Sequence, residues 1–67
     1  MTNTYDRVEV AVELVRETDK AYLVHDGDTD MWIPKSQVSD LEKVTIDGKV
    51  HLAFTIPEWL ALEKGLI

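Results

Sequence analysis

The chain has no cysteine, and among its 67 residues there are only three glycines, two prolines and seven basic side chains. Without thiols there can be no disulfide, thiolate zinc centre, iron–sulfur cluster or cysteine nucleophile. Small secreted domains ordinarily depend on disulfides, so their absence points to a reducing compartment, the cytoplasm. No stretch is long and apolar enough to span a membrane. No basic segment followed by an apolar run opens the chain, so no signal peptide is expected. The shortage of lysine and arginine weighs against nucleic-acid binding, which relies on cations that neutralise phosphates.

What is present bounds the fold. A chain of 67 residues is one domain, 1–67, with no room for a second core. A domain this small buries about 60% of its unfolded surface. A hydrophobic content of 45% argues against disorder. Thirteen acidic residues against seven basic ones give a net charge of −6. Such a surface repels phosphate backbones and draws in basic partners. The plainer account of the same charge is solubility.

Period-two alternation opens the ordered part of the chain. From Arg7, the residues Val8, Val10, Val12 and Leu14 alternate with Glu9, Ala11 and Glu13, the pattern of a half-buried strand. Glu17 to Lys20 reads as a turn, and Ala21–His25 as an antiparallel second strand. Asp26 to Asp30, with Gly27, reads as another turn, and Met31–Ile33 as a third strand ended by Pro34. Lys35 to Val38 fits one 3₁₀ turn with Val38 pointing inward. Val44–Ile46 and Lys49–Phe54 flank Asp47-Gly48, a hairpin signal. A two-residue loop there would set Val44 and Ile46 on the face opposite Val50 and Leu52. A three-residue loop with a bulge would set all four together, and a single buried face favours that second register. Pro57 to Lys64, followed by Gly65, reads as a short C-terminal helix. Met1 to Thr4 read as a loose polar end.

The expected architecture is α+β: a small bent antiparallel sheet of about five strands, an SH3-like part-barrel, closed by the C-terminal helix. The expected core is Val10, Val12, Leu23, Ile33, Val44, Leu52, Phe54, Trp59 and Leu60. The two Ile-Pro steps, Ile33-Pro34 and Ile56-Pro57, each lie close to a tryptophan, and the core is expected to form around Trp32 and Trp59.

No residue set carries catalysis. Asp26, Asp28 and Asp30 share the first ligand spacings of a calcium loop, but Met31 stands where glycine is needed and Gln37 where the bidentate glutamate belongs. A hairpin turn with solvated acids accounts for them better. His25 and His51 are the only imidazoles, far apart in sequence and short of a zinc ligand set, so no metal and no cofactor is expected. Ser36 has no histidine nearby in sequence. Tyr22 and Trp32 resemble a base-stacking platform, but three aspartates and only Lys20 and Lys35 surround them, so core packing is the better account. The chain therefore reads as a binding protein and not an enzyme. Glu9, Glu13, Glu17, Asp19, Asp26, Asp28 and Asp30 fall on two neighbouring strands and their turns. They form a candidate partner-binding acidic face, placing carboxylates where phosphates would sit.

The segments Trp32-Ile33-Pro34-Lys35-Ser36-Gln37-Val38 and Ile56-Pro57-Glu58-Trp59-Leu60-Ala61, with Lys20-Ala21-Tyr22-Leu23-Val24 and Lys64-Gly65-Leu66-Ile67, resemble small proteins of phages, prophages and other mobile elements. The similarity covers most of the chain after Thr18 and contains no catalytic motif. It implies work inside a bacterial host. One such role is inhibition of host defence, as in anti-CRISPR proteins, with a basic CRISPR–Cas subunit as the partner and no direct contact with nucleic acid or membrane. The other is an accessory or structural phage protein that acts by self-association.

Overall fold

The computed structural model describes residues 6–67, so the polar end expected at Met1 to Thr4 lies outside the described residues. Five strands form one antiparallel sheet: β1 (Arg7–Glu17), β2 (Ala21–His25), β3 (Asp30–Pro34), β4 (Ser39–Ile46) and β5 (Lys49–Pro57). Their spatial order is β3-β2-β1-β5-β4. A six-residue helix, α1 (Glu58–Glu63), follows β5. The sheet stays open, with β3 and β4 as its edges. No helix among the described residues is long and apolar enough to cross a membrane.

The central strand serves two partners in turn. Arg7 to Glu13 of β1 pairs with β5, and Glu13 to Glu17 pairs with β2. A bulge between Leu14 and Arg16 bends the strand where it changes partner. Drawn straight, the eleven residues of β1 would span ~33 Å. Yet Arg7 at its start, and Glu17 at its end together with the β1–β2 connection that follows, all reach the same three-residue 3₁₀ turn, Lys35–Gln37. The Lys35 backbone N–H donates to Lys20 O at 2.8 Å, and Arg7 Nη2 donates to Gln37 O at 2.8 Å. The sheet is thus curled, and the 3₁₀ turn crosses from its β3 edge to its β4 edge. Arg7 secures this seam further by donating to Ser39 Oγ and Thr55 O, both at 3.0 Å.

The inner surface of the curl is the core. Val10, Val12, Tyr22, Val24, Met31, Ile33, Leu52, Phe54 and Ile56 fill it, and Leu60 and Ala61 cover it from α1. Val8, Leu14, Val38, Leu41, Val50 and Leu66 pack around them. The helix ends as its sequence prescribes. Gly65 takes φ +74°, Leu66 N–H donates to Ala61 O, and Gly65 N–H donates to Leu62 O. These two bonds make a Schellman cap, which turns Leu66 back onto the core.

Three expected core residues lie elsewhere. Leu23 is half-buried, while its neighbours Tyr22 and Val24 face inward opposite Ile33 and Met31. Every residue from Ala21 to Val24 is apolar or aromatic, so alternation alone could not phase this strand. Val44 is exposed because the Asp47-Gly48 loop has two residues, with Ile46 opposite Lys49 and Val44 opposite His51. Asp47 at φ 52° and Gly48 at φ 79° are both left-handed, the type I′ geometry that matches strand twist. The three-residue register is therefore not the one adopted. Trp59 is also exposed, since a six-residue helix buries one side and Leu60 and Ala61 take it. Trp32, opposite Leu23, stands on the outer face of the sheet, so neither indole anchors the core.

Candidate functional site

Alternation fixes which acids face out. On β1, Val10 and Val12 point inward, so Glu9 and Glu13 project from the outer face. Glu13 lies directly opposite His25 of β2 and His51 of β5, and His25 lies opposite Asp30 of β3. One cross-strand row therefore reads Asp30, His25, Glu13, His51. His25 Nδ1 and Asp30 Oδ1 are 2.7 Å apart. The His51 Nδ1 atom is buried and has no hydrogen-bond partner among the described residues. The two imidazoles, distant in sequence, thus flank one carboxylate. Nothing local in the sequence signals this, because it follows from β5 returning to pair with β1.

The β2–β3 loop sits at the end of this row. Asp26 Oδ1 accepts the backbone N–H groups of Asp28 and Thr29, both at 2.9 Å. These bonds, Thr29 first, hold the Asp26 carboxyl below its ordinary range, because they stabilise its charged form. The loop is thus an Asx-type turn closed on its own backbone. Among the described residues, no group of three or more His, Asp or Glu side chains is arranged to hold a metal ion.

The seven candidate acids do not form one continuous face. Glu9 and Asp26 line one cavity and Glu13 and Asp26 the next, Asp30 lies in the same cross-strand row as Glu13, and Asp28 belongs to the β2–β3 loop. Glu17 and Asp19 lie at the other end of β2, beyond the bulge. There Glu17 is opposite Tyr22 and turns over the core side, where Lys35 Nζ donates to it at 2.6 Å and Lys43 Nζ lies at 3.5 Å. Lys35 Nζ also stands 4.9 Å from the centroid of the Tyr22 ring. Glu17 is thus neutralised within the fold. Tyr22 and Trp32 lie on opposite faces, which removes the base-stacking platform.

A groove runs beside Glu9, Glu13 and Asp26. The β1–β2 ladder begins at Glu13 and His25, so among the described residues no strand pairs with residues 9–12 of β1 on that side. Two adjoining cavities lie along this stretch. One, of about 330 Å³, is lined by Glu9, Val10, Ala11, Val12, Asp26 and the segment Gly65 to Ile67. The other, of about 240 Å³, is bounded by residues 11–13, His25, Asp26, Gly27 and His51. No lysine or arginine lines either.

Comparison with protein-family models, with curated proteins and with solved structures finds no match for this chain.

Proposed function

We propose that the protein is a non-enzymatic binding protein of mobile-element origin whose acidic end docks on a basic, nucleic-acid-binding surface of a host protein. The observation that carries this reading is a local group of carboxylates beside two cavities that no lysine or arginine lines. Glu9, Glu13 and Asp28 have no side-chain partner among the described residues, and they lie beside Asp26 and Asp30. Two of the lysines, Lys35 and Lys43, are engaged by Glu17 at the opposite end of β2. A carboxylate cluster without internal cations presents a field that a phosphate-binding surface would accept. Naming a CRISPR–Cas subunit as that surface, with inhibition as the outcome, rests on the resemblance of the Ile-Pro segments to mobile-element proteins and is part of the proposal.

The test is affinity capture from host lysate with the wild-type chain and with the triple variant Glu9→Gln, Glu13→Gln, Asp28→Asn. None of these three side chains has a hydrogen bond or ion pair among the described residues, so the variant is expected to stay folded, which its thermal melt checks. The wild type is expected to retain a nucleic-acid-binding protein that salt or added nucleic acid displaces, and the variant to retain none. Equal retention by both defeats the reading.

A second reading, an accessory or structural protein that self-associates, is favoured by the apolar side chains on the outer surface. Trp32, Val15, Val44 and Ile46 are all exposed, and among the described residues β3 and β4 are the edges of the sheet. Sedimentation across a concentration series separates the two, since a strict monomer removes the second.

A further inference from the structure

We infer that residues 9–12 of β1 form a strand-addition slot for an extended segment of a partner in which basic and apolar residues alternate. This inference rests on the acidic-docking reading above and names the form the partner takes. The slot exists because β1 is longer than β2. Where β2 leaves the sheet at His25, the ladder stops, and among the described residues β1 continues toward Arg7 with a partner only on its β5 side. Alternate backbone N–H and C=O groups in this stretch point into the groove. None of the backbone hydrogen bonds made outside the ladders by the described residues involves them. Main-chain groups left this way at a sheet edge are a template for an added strand.

The bounds of the slot define its occupant. The Asp26 turn closes one end, and the Gly65 to Ile67 segment runs along the far side. About four residues fit, a length of ~13 Å. A strand added there continues the line of β2 and obeys the same alternation. Its outward side chains come level with Glu9 and Ala11, and a cation there is matched by Glu9 and by Glu13 and Asp26 at the end of the slot. Its inward side chains meet Val10, Val12 and Leu66, the apolar rim of the core. The absence of lysine and arginine from the lining sets the sign of the partner's charge. A lysine–valine alternation satisfies both faces at once.

The probe is a synthetic peptide alternating lysine with valine, compared with the same peptide methylated on alternate backbone nitrogens. Binding is followed by amide chemical shifts and hydrogen exchange of the full chain. The expected result is protection of the amides within 9–12 and a loss of about tenfold or more in affinity on backbone methylation, which removes main-chain bonds and leaves charge intact. Equal binding of the two peptides overturns strand addition and leaves the acidic-docking reading standing. Failure of the unmethylated peptide to bind at low salt also overturns it. In that case the lysate capture, lost or kept in the triple variant, decides the acidic reading separately.

Discussion

Glu17 and Lys35 stand 18 residues apart in the chain, and the Lys35 ammonium donates to the Glu17 carboxylate at 2.6 Å. The contact joins the end of the central strand to the 3₁₀ turn that spans the opening of the sheet. With Lys43 of β4 on the same carboxylate, it draws two elements from opposite edges of the sheet onto one point. A glutamate that would serve as surface charge on a flat sheet becomes, on a curled one, a clasp across the gap.

This clasp makes stability depend on acid. The hydrogen bond from Lys35, ahead of the charges of Lys35 and Lys43, holds the Glu17 carboxyl below its ordinary value of 4.5. The unfolded chain therefore takes up a proton there before the folded one does. The stability Glu17 contributes is present in full above 4.5 and is lost as pH falls through the folded value. Asp26, held below 3.8 by its own loop, adds a second loss of the same sign at lower pH. Glu17→Gln is expected to lower Tm slightly at neutral pH, the pair being solvent-exposed, and the gap should close in acid. Thermal melts of both proteins across pH check this, and a gap that stays constant into acid counts against it.

The β4–β5 hairpin depends on two left-handed residues in succession. A Cβ at position 48 would meet no atom within 4 Å, so the cost of Gly48→Ala is backbone strain alone. About 1–2 kcal/mol is expected, which in a domain of this size lowers Tm by ~4–8 °C per kcal/mol. Asp47→Asn should be neutral or mildly stabilising, because asparagine tolerates the same region and Asn-Gly favours this turn. A melt of Gly48→Ala matching the wild type would mean that the loop does not adopt this turn.

The hairpin register has its own test. Ile33 is fully buried, and Ile33→Ala is expected to cost about 2–5 kcal/mol, enough to unfold much of a domain this small. Val44→Ala and Ile46→Ala remove similar groups from the outer face, where the two side chains are 47% and 51% exposed. Each should shift stability by about 0.5 kcal/mol or less. Urea titrations of the three variants measure the contrast. A large loss at Val44 or Ile46 would place those side chains inside and favour a bulged three-residue loop.

Elements were more legible in the sequence than faces. Glu9 and Glu13 punctuate β1, so its phase could be read directly, and Pro57 and Gly65 bracket α1 to within a residue. Ala21 to Val24 has no polar residue to set a phase, and Leu23 falls outside because Met31 and Ile33 across the ladder fix Tyr22 and Val24 inside. At Asp47-Gly48 the local turn preference prevailed over the preference for one buried face, leaving Val44 and Ile46 in water. The candidate acids were legible as residue type and charge. Their division was not, because the bulge after Leu14 and the return of β5 are tertiary events. They turn Glu17 away from Glu13 and bring His51 beside it.

The tryptophans supply the last prediction. Trp32 and Trp59 are 43% and 44% exposed, although large aromatics usually anchor small cores. Here Phe54, at 1% exposure, has that role, wedged among Val10, Leu52 and Ile56. Phe54→Ala should therefore cost about 3–5 kcal/mol. Trp32→Ala and Trp59→Ala should each stay within about 1 kcal/mol, because the half of each indole that touches the fold is surface packing. Acrylamide quenching of tryptophan emission should be efficient in the native protein and rise little on unfolding. Native emission shielded from the quencher would mean that the indoles are covered. If that shielding grew with protein concentration and vanished in Trp32→Ala, the cover would be a second copy of the chain seated on the outer face. That result would move the functional reading from acidic docking to self-association.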